Sequence, residues 1–338
     1  MYRIPTLRSV ELCAGAGGLA LGLEKAGFHH EMLVEIDSLS CSTLRHNRPN
    51  WNVIQDDIAN VDFSHIENLD LLSAGIPCQS FSHAGKREGL ASRNGEVFWL
   101  FKDCLDMLKP KMFLLENVRG LMTHDKGRTF DLIHKELQAS GYQIFSKVLN
   151  ANDFGVAQKR QRIFIIGVMG WGNLDVEFNF PYPYQYKPVL WDAIGDLQGN
   201  DNSDRLSYPL EKQKVLSQVP AGGCWVDLPV EIQKEYMGKS FYNSGGQRGM
   251  ARRISWNEPS LTLMQLPVQK MTERCHPDEE RPFTVRESAR IQSFPDDWEF
   301  KGKTTKQYKQ IVNAVPVKLA EAIGKEIAKC LTRIKMEK

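Results

Sequence analysis

One thiol and one carboxylate carry most of the chemical potential of this sequence. Cys78 follows Gly75-Ile-Pro77 at the end of an apolar run and precedes the polar, glycine-containing stretch from Gln79 through Ser82 and Lys86. A thiol so exposed can act as a nucleophile if nearby cations or a helix N-terminus stabilise its thiolate, and the alternative is an inert thiol. Glu116 comes directly after the apolar run Met112-Phe-Leu-Leu115, at the edge of a core. Such surroundings disfavour the charged carboxylate and suit it to hydrogen-bond or protonate a base; the competing reading is a helix cap by Glu116 or Asn117. Gln158, Arg160 and Arg162 fall on one side of a strand by the period-two rule. Two guanidinium groups and an amide in line could hold a phosphate or polarise a carbonyl, unless they form an ordinary edge-strand face.

A second group of residues has the pattern of an adenosine site. The segment Gly15-Ala-Gly17-Gly18 lets a backbone turn tightly against a ligand, and Glu35, 20 residues after Gly15, suits the hydroxyls of a ribose. Asp57 adds an acceptor for an adenine amino group. Gly15, Gly17 and Ala20 also satisfy the dinucleotide pattern G-x-G-x-x-A, so a dinucleotide site and a plain structural turn both remain open.

The elements that must position these groups alternate in type. Short apolar runs at 7–13, 31–36, 51–54, 69–74, 111–115, 143–149 and 162–168 read as strands, and 18–26, 38–47, 95–109 and 128–139 as helices. Repeated βαβ units predict an α/β fold, a doubly wound, mostly parallel sheet. In such sheets ligands bind beyond the carboxyl ends of the strands, where the residues above fall. The expected division is a catalytic domain over 1–171, a smaller loop-rich domain over 172–265, and a segment 266–338 that returns to complete the first. Helical spacing recurs at Thr284–Gln292 and Val317–Ile334.

The chain has 338 residues, 43 Lys plus Arg against 41 Asp plus Glu, and 42% hydrophobic residues, so a sizeable core is expected and global charge names no partner. Basic residues concentrate locally, with ten Lys or Arg against three Glu in 301–338. Seven cysteines, odd in number and without a C-x-x-C pair, argue against a disulfide framework and a zinc module. Cys41, Cys104 and Cys330 on helical patterns read as buried hydrophobes. With no metal expected, no signal-peptide run and no apolar stretch approaching a membrane span, a cytoplasmic, nucleoid-associated protein is predicted.

Taken in order from residue 9 to residue 326, these residues resemble the C5 cytosine DNA methyltransferases. Cys13 through the glycine loop resembles the family's first motif, Glu35-Ile36 and Asp57-Ile58 its next two, and Pro77-Cys78-Gln79 its nucleophile motif. Glu116-Asn117-Val118 is similar to the E-N-V motif and Gln158-x-Arg160-x-Arg162 to Q-x-R-x-R. Arg253 through Thr262 resembles the motif after the target recognition domain, and Asn313-Ala-Val315-Pro the last one. The chain departs from the family at Cys13, where Phe is usual, and at Ile36, Asn94 and Val312.

The resemblance implies the class I S-adenosylmethionine-dependent fold, Rossmann-like, with 172–265 as a target recognition domain. It implies transfer of a methyl group to C5 of a flipped cytosine, with Cys78 adding to C6, Glu116 holding N3 and the amino group, Arg162 the O2, and Arg160 in support. Cys13, Gly15, Gly17, Glu35, Ile36, Asp57, Ile58, Pro77, Asn313 and Val315 would hold S-adenosylmethionine. Gln79, Ser82, Lys86, Arg93, Gln158, Arg253 and Thr262 would touch double-stranded DNA, and Arg205, Gln213, Gln247 and Arg248 have base-reading chemistry. A restriction endonuclease is the expected functional counterpart, no membrane is involved, and a monomer is favoured. Three rivals differ in testable ways. A transfer-RNA methyltransferase of the same build would carry C-F-T in place of Cys78-Gln79-Ser80; a dinucleotide-dependent oxidoreductase leaves Cys78 and Glu116 unexplained; a silent DNA-binding homologue would have damaged motifs, and both P-C-Q and E-N-V are intact.

Overall fold

Residues 6–76, 93–170, 177–199, 204–242, 249–270 and 273–336 are described by a computed structural model of the chain. They fall into two compact units, Met1–Phe154 with Gln161–Tyr184 and Val315–Lys338, and Gly155–Arg160 with Gln185–Ala314. The return to the sheet-bearing unit therefore comes at Val315, not at residue 266, and residues 266–314 belong with the segment before them.

In chain order the first unit contains β1 (Leu7–Leu12), α1 (Gly18–Lys25), β2 (Phe28–Glu35), α2 (Ser38–Asn47), β3 (Val53–Gln55), β4 (Leu71–Gly75), α3 (Arg93–Leu108), β5 (Met112–Val118), α4 (Arg128–Ala139) and β6 (Tyr142–Asn150). The chain then leaves for β7 (Gln158–Lys159) in the second unit and comes back as β8 (Gln161–Met169). The seven-stranded sheet runs β3-β2-β1-β4-β5-β8-β6, parallel except for the antiparallel pairings of β8 with β5 and β6. Strands covered on both faces need apolar residues at successive positions, which is why Leu71-Leu72 and Met112–Leu115 read as continuous runs.

The two faces are distinguished by parity. Val10, Leu12, Leu72, Ala74, Phe113 and Leu115 pack with Phe98, Phe101 and Leu105 of α3 and Ile133 and Leu137 of α4 in one core. From the other face of β1 the Ser9 hydroxyl lies 2.9 Å from His30 Nδ1, and His30 Nε2 lies 2.9 Å from the Ala20 carbonyl on α1. The strand order reverses at β1 and β4, the topological switch point where doubly wound sheets bind ligands.

Sequence and structure differ at β5, which does not stop at Leu115. Glu116 pairs with Gly75 of β4 on one side and Phe164 of β8 on the other, and Val118 with Arg162. Ladder bonds on both edges carry the strand through the polar residues, so Glu116 stands within the strand and caps no helix.

The second unit holds α5 (Leu190–Ile194), α6 (Leu210–Leu216), α7 (Val230–Met237), β9 (Ser260–Leu261), α8 (Val285–Ile291) and α9 (Thr304–Asn313), and α10 (Val317–Met336) closes the chain in the first. Its short helices bury Leu216, Trp225 and Met250 in one cluster and Leu190, Phe283 and Ile291 in another. At α8 the Thr284 hydroxyl accepts from the Glu287 N–H while the Glu287 carboxylate accepts from the Thr284 N–H, a reciprocal cap that fixes the helix start.

Candidate active site

The glycine loop leaves β1 through three left-handed residues, Cys13 (φ 56°), Gly15 (φ 55°) and Gly17 (φ 88°), and Gly18 then opens α1. Among the described residues, a side chain built on Gly15 would meet nothing within 4 Å. Glu35 at the end of β2 pins this loop: one oxygen accepts from the Gly15 N–H at 2.7 Å and the other from the Asp37 N–H at 2.8 Å. Burial pushes the Glu35 carboxyl above its usual range, although both N–H groups pull it back. Ile36 beside it is an apolar side chain 65% exposed. Asp57 accepts from the Ala59 N–H at 3.0 Å, and Ile58 packs on the edge of the sheet core. Burial, with Glu35, Glu11 and Asp57 adding to it, pushes the Cys13 thiol far up and keeps it protonated. Glycine backbone, a carboxylate at a strand end and an exposed apolar side chain form a cradle whose donors and acceptors fit an adenosine.

Beside the switch point, the Glu116 carboxylate meets Arg162 across the β5–β8 pair, with 3.1 Å between Oε1 and Nε and side-chain exposures of 11% and 15%. Its other oxygen, Oε2, is 3.7 Å from where a side chain on Gly75 would begin. The Asn117 amide donates to the Ile76 carbonyl at 3.4 Å. The carboxylate thus stands over the end of β4, where the chain runs on into Pro77 and Cys78. At the edge of the core, it faces the Arg162 cation. A carboxylate and a guanidinium held together there can present acceptor and donor edges to one planar heterocycle.

The sequence matches the family of C-5 cytosine-specific DNA methylases over residues 7–329. The chain belongs to that family. It is 54% identical to the type II methyltransferase M.PspPI of a Psychrobacter species over 95% of this chain and 79% of that protein. Identity to M.Sau96I of Staphylococcus aureus is 52%, covering 96% of this chain and 76% of the relative. Among solved structures, the Entamoeba histolytica methyltransferase EhMeth has a similar fold, with a TM-score of 0.69 at 15% identity over 96% of this chain and 98% of that one.

Several residues expected at the centre of this DNA cytosine methylase are committed elsewhere. Gln158, Arg160 and Arg162 do not share one strand: β7 ends at Lys159 and β8 begins at Gln161, and the first two residues lie in the other unit from Arg162. Gln158, fully buried, donates to the Gln292 side chain at 2.9 Å and accepts from the Leu263 N–H at 3.3 Å, so it links segments inside the second unit. Arg160, 2% exposed, donates to the carbonyls of Val312 at 2.8 Å and Ala314 at 3.3 Å, bracing the segment that carries Asn313. Arg253, 4% exposed, donates to the Leu216 and Pro277 carbonyls and to Glu280, and is an internal strut.

Thr262 donates its hydroxyl to the Lys159 carbonyl, Asn313 is exposed and accepts from Gln265, and Val315 is buried. Among the base-reading candidates, Gln213 donates to the Tyr208 carbonyl and Arg205 lies 3.6 Å from Glu279. Pro77, Cys78, Gln79, Ser82, Lys86, Gln247 and Arg248 lie outside the described residues, and Arg93 opens α3. Among the described residues no acidic, histidine or cysteine cluster could hold a metal, and no helix is long and apolar enough to cross a membrane.

Sequence reading passed over Glu11. On central β1 it is 1% exposed, its carboxyl meets the Ala20 N–H in the first turn of α1, and burial above all, with Glu35 adding, pushes it well above the usual carboxylate range. The signal was present, since a charged residue between Val10 and Leu12 breaks an otherwise apolar buried strand.

Proposed function

We propose that this chain transfers a methyl group from S-adenosylmethionine to carbon 5 of a cytosine flipped out of double-stranded DNA, as the modification partner in a type II restriction-modification system. Membership of the C-5 cytosine methylase family supports the reaction class. The observation that carries the reading is the Glu116–Arg162 pair standing over the end of β4, beside the strand that leads into Cys78. The type II role is supported by relatives at 50–54% identity, each called a type II methyltransferase.

S-adenosylmethionine, when bound, supplies an electrophilic methyl group. Gly15, Gly17, Glu35, Ile36 and Asp57 would hold its adenosine: the acidic residues accept from hydroxyl and amino groups while Ile36 covers the ring. The Cys78 thiolate would add to C6 of the cytosine, turning a poor carbon nucleophile at C5 into an enamine. Glu116 would hydrogen-bond N3 and the amino group as the added thiolate pushes electron density onto N3 and C5, and Arg162 would donate to O2; C5 then bonds to the methyl carbon as the methyl–sulfur bond of the donor breaks. Loss of the C5 proton and expulsion of the Cys78 thiolate then restore the aromatic base. Arg160 acts as a positioning residue for 312–314. Unstacking the target costs a few kcal/mol, which contacts to duplex and flipped base must offset. A prokaryotic chromosome in the cytoplasm would be the substrate.

The test is incubation with radiolabelled S-adenosylmethionine and mixed-sequence duplex DNA, followed by nucleoside analysis and sequencing that resolves 5-methylcytosine. Label confined to 5-methylcytosine at one short motif is expected; label in transfer RNA, or nowhere, overturns the reading. Cys78→Ser should abolish transfer and leave S-adenosylmethionine affinity within about threefold, because nucleophile and cofactor cradle are different groups. Retained methylation in that variant refutes the covalent route.

A further inference from the structure

We propose that Arg252 and Arg274, side by side on one face of the second unit, together grip a single backbone phosphate of the DNA substrate. The proposal rests on the DNA reading above and adds residues to it.

The geometry follows from one parallel bridge. Arg253 lies opposite Cys275; the Ile254 N–H donates to the Cys275 carbonyl at 3.0 Å, and the Cys275 N–H to the Arg252 carbonyl at 2.9 Å. Arg253 and Cys275 point inward, with exposures of 4% and 0%. Alternation sends the preceding residue of each strand to the opposite side, so Arg252 and Arg274 stand as neighbours across strands roughly 4.8 Å apart. Ala251, held at φ 45° with its N–H on the Glu273 carboxylate, sets the turn that delivers Arg252 to this side.

Both arginines are half-buried and have little freedom to swing apart. Arg274 is tethered further, Nε donating to the Thr262 carbonyl at 3.3 Å and Nη1 to the Glu273 carbonyl at 2.7 Å, which leaves its other amino group for a ligand. Arg252 Nε is buried without a hydrogen-bond partner. Among the described residues neither guanidinium has a carboxylate within ion-pair distance. The nearby Glu273 carboxylate is occupied by Lys212, Tyr236 and the Ala251 N–H. Burial, and then the charge of Arg252, depress the Arg274 pKa, and Tyr208 and Glu273 offset them only in part, as expected of two cations held close together.

A site that forces like charges together is relieved by an anion between them. Guanidinium groups donating in parallel match the oxygens of a phosphate, and phosphates are where most protein–DNA hydrogen bonds go. The inward Arg253 is spent on carbonyls, so the DNA contact expected there falls one residue earlier.

The test uses the full-length enzyme and two duplexes of equal length, one carrying its methylated motif and one scrambled, with affinity measured from 50 to 200 mM KCl. Arg252→Gln and Arg274→Gln should each lower the slope of log affinity against log salt by about 0.9, equally on both duplexes. The fall in affinity across that salt range then shrinks by about 3.5-fold. Because one phosphate is shared, the double variant should lower the slope no further. An unchanged slope, or a loss confined to the cognate duplex as base-edge reading would give, overturns the proposal. Should a glutamine variant not fold, Arg252→Lys and Arg274→Lys decide: charge without the fork keeps the slope but weakens both duplexes about three- to tenfold. Unchanged affinity in both lysine variants is the contrary result. Lack of methyl transfer by the unaltered enzyme would strike the DNA reading itself, and is read in a separate assay.

Discussion

Gly22 on α1 offers a test in which two calculable effects have opposite signs. In an isolated helix Gly22→Ala would stabilise by about 1 kcal/mol, the difference in helix propensity. Here a methyl at that position would lie 2.4 Å from Cβ of Ala320, 2.7 Å from the Val317 carbonyl oxygen and 2.8 Å from the Glu321 nitrogen, all on α10. Ordinary contact needs at least ~3.5 Å, so the two helices must separate by about 1 Å, and two of the three obstacles are backbone atoms that no rotamer change removes. Overpacking of this kind costs typically 1–3 kcal/mol. After the propensity gain a net loss of up to about 2 kcal/mol is expected. Urea titration followed by far-ultraviolet circular dichroism measures it, and Ala320→Gly in the same background should restore only part, because the Val317 carbonyl stays. A variant more stable than the parent would refute the claim that close backbone approach, and not loop chemistry, demands glycine at this position.

Three further outcomes follow from the same structure. Arg162→Met removes the cation beside a carboxylate that is 11% exposed and should cost about 2–4 kcal/mol, while Glu116→Gln with Arg162→Met should recover to within about 1 kcal/mol of the parent; additive losses in denaturant titrations would show that the two groups are not coupled. Glu35→Gln weakens the hold on the Gly15 and Asp37 N–H groups and should reduce S-adenosylmethionine affinity about 10- to 100-fold by calorimetry, with unchanged affinity counting against the cradle. Burial raises the Asp70 pKa, but Lys111 at 2.6 Å, the Arg8 N–H and Lys335 at 3.0 Å outweigh it and hold the carboxyl below its usual range. A depressed native pKa means a stabilisation present above about pH 4 and lost as pH falls through the native value. Parent and Asp70→Asn should therefore differ in stability at pH 6–8 and converge below about pH 4, and a gap that persists in acid would exclude the ionic origin.

The sequence by itself determined the alternation of strands and helices in the sheet-bearing half, and three of its helices nearly to the residue. The expected helices at 18–26, 38–47 and 128–139 stand at Gly18–Lys25, Ser38–Asn47 and Arg128–Ala139, because local signals suffice there: apolar period, and the glycines that follow α1 and α4. It also singled out Glu35 and Glu116 as carboxylates at the carboxyl ends of strands, and the structure places both there, at the end of β2 and within the last residues of β5. Tertiary structure alone decided which polar side chains are spent internally. Gln158, Arg160 and Arg253 have the composition of a nucleic-acid surface, yet their partners are carbonyls and amides as many as 154 residues away, a pairing no local pattern encodes. The same holds for the partner that Arg162 gives Glu116 and for the pairing of Arg252 with Arg274. Each depends on the register between segments distant in the chain, and register is fixed by which faces can be buried together once the whole molecule has folded.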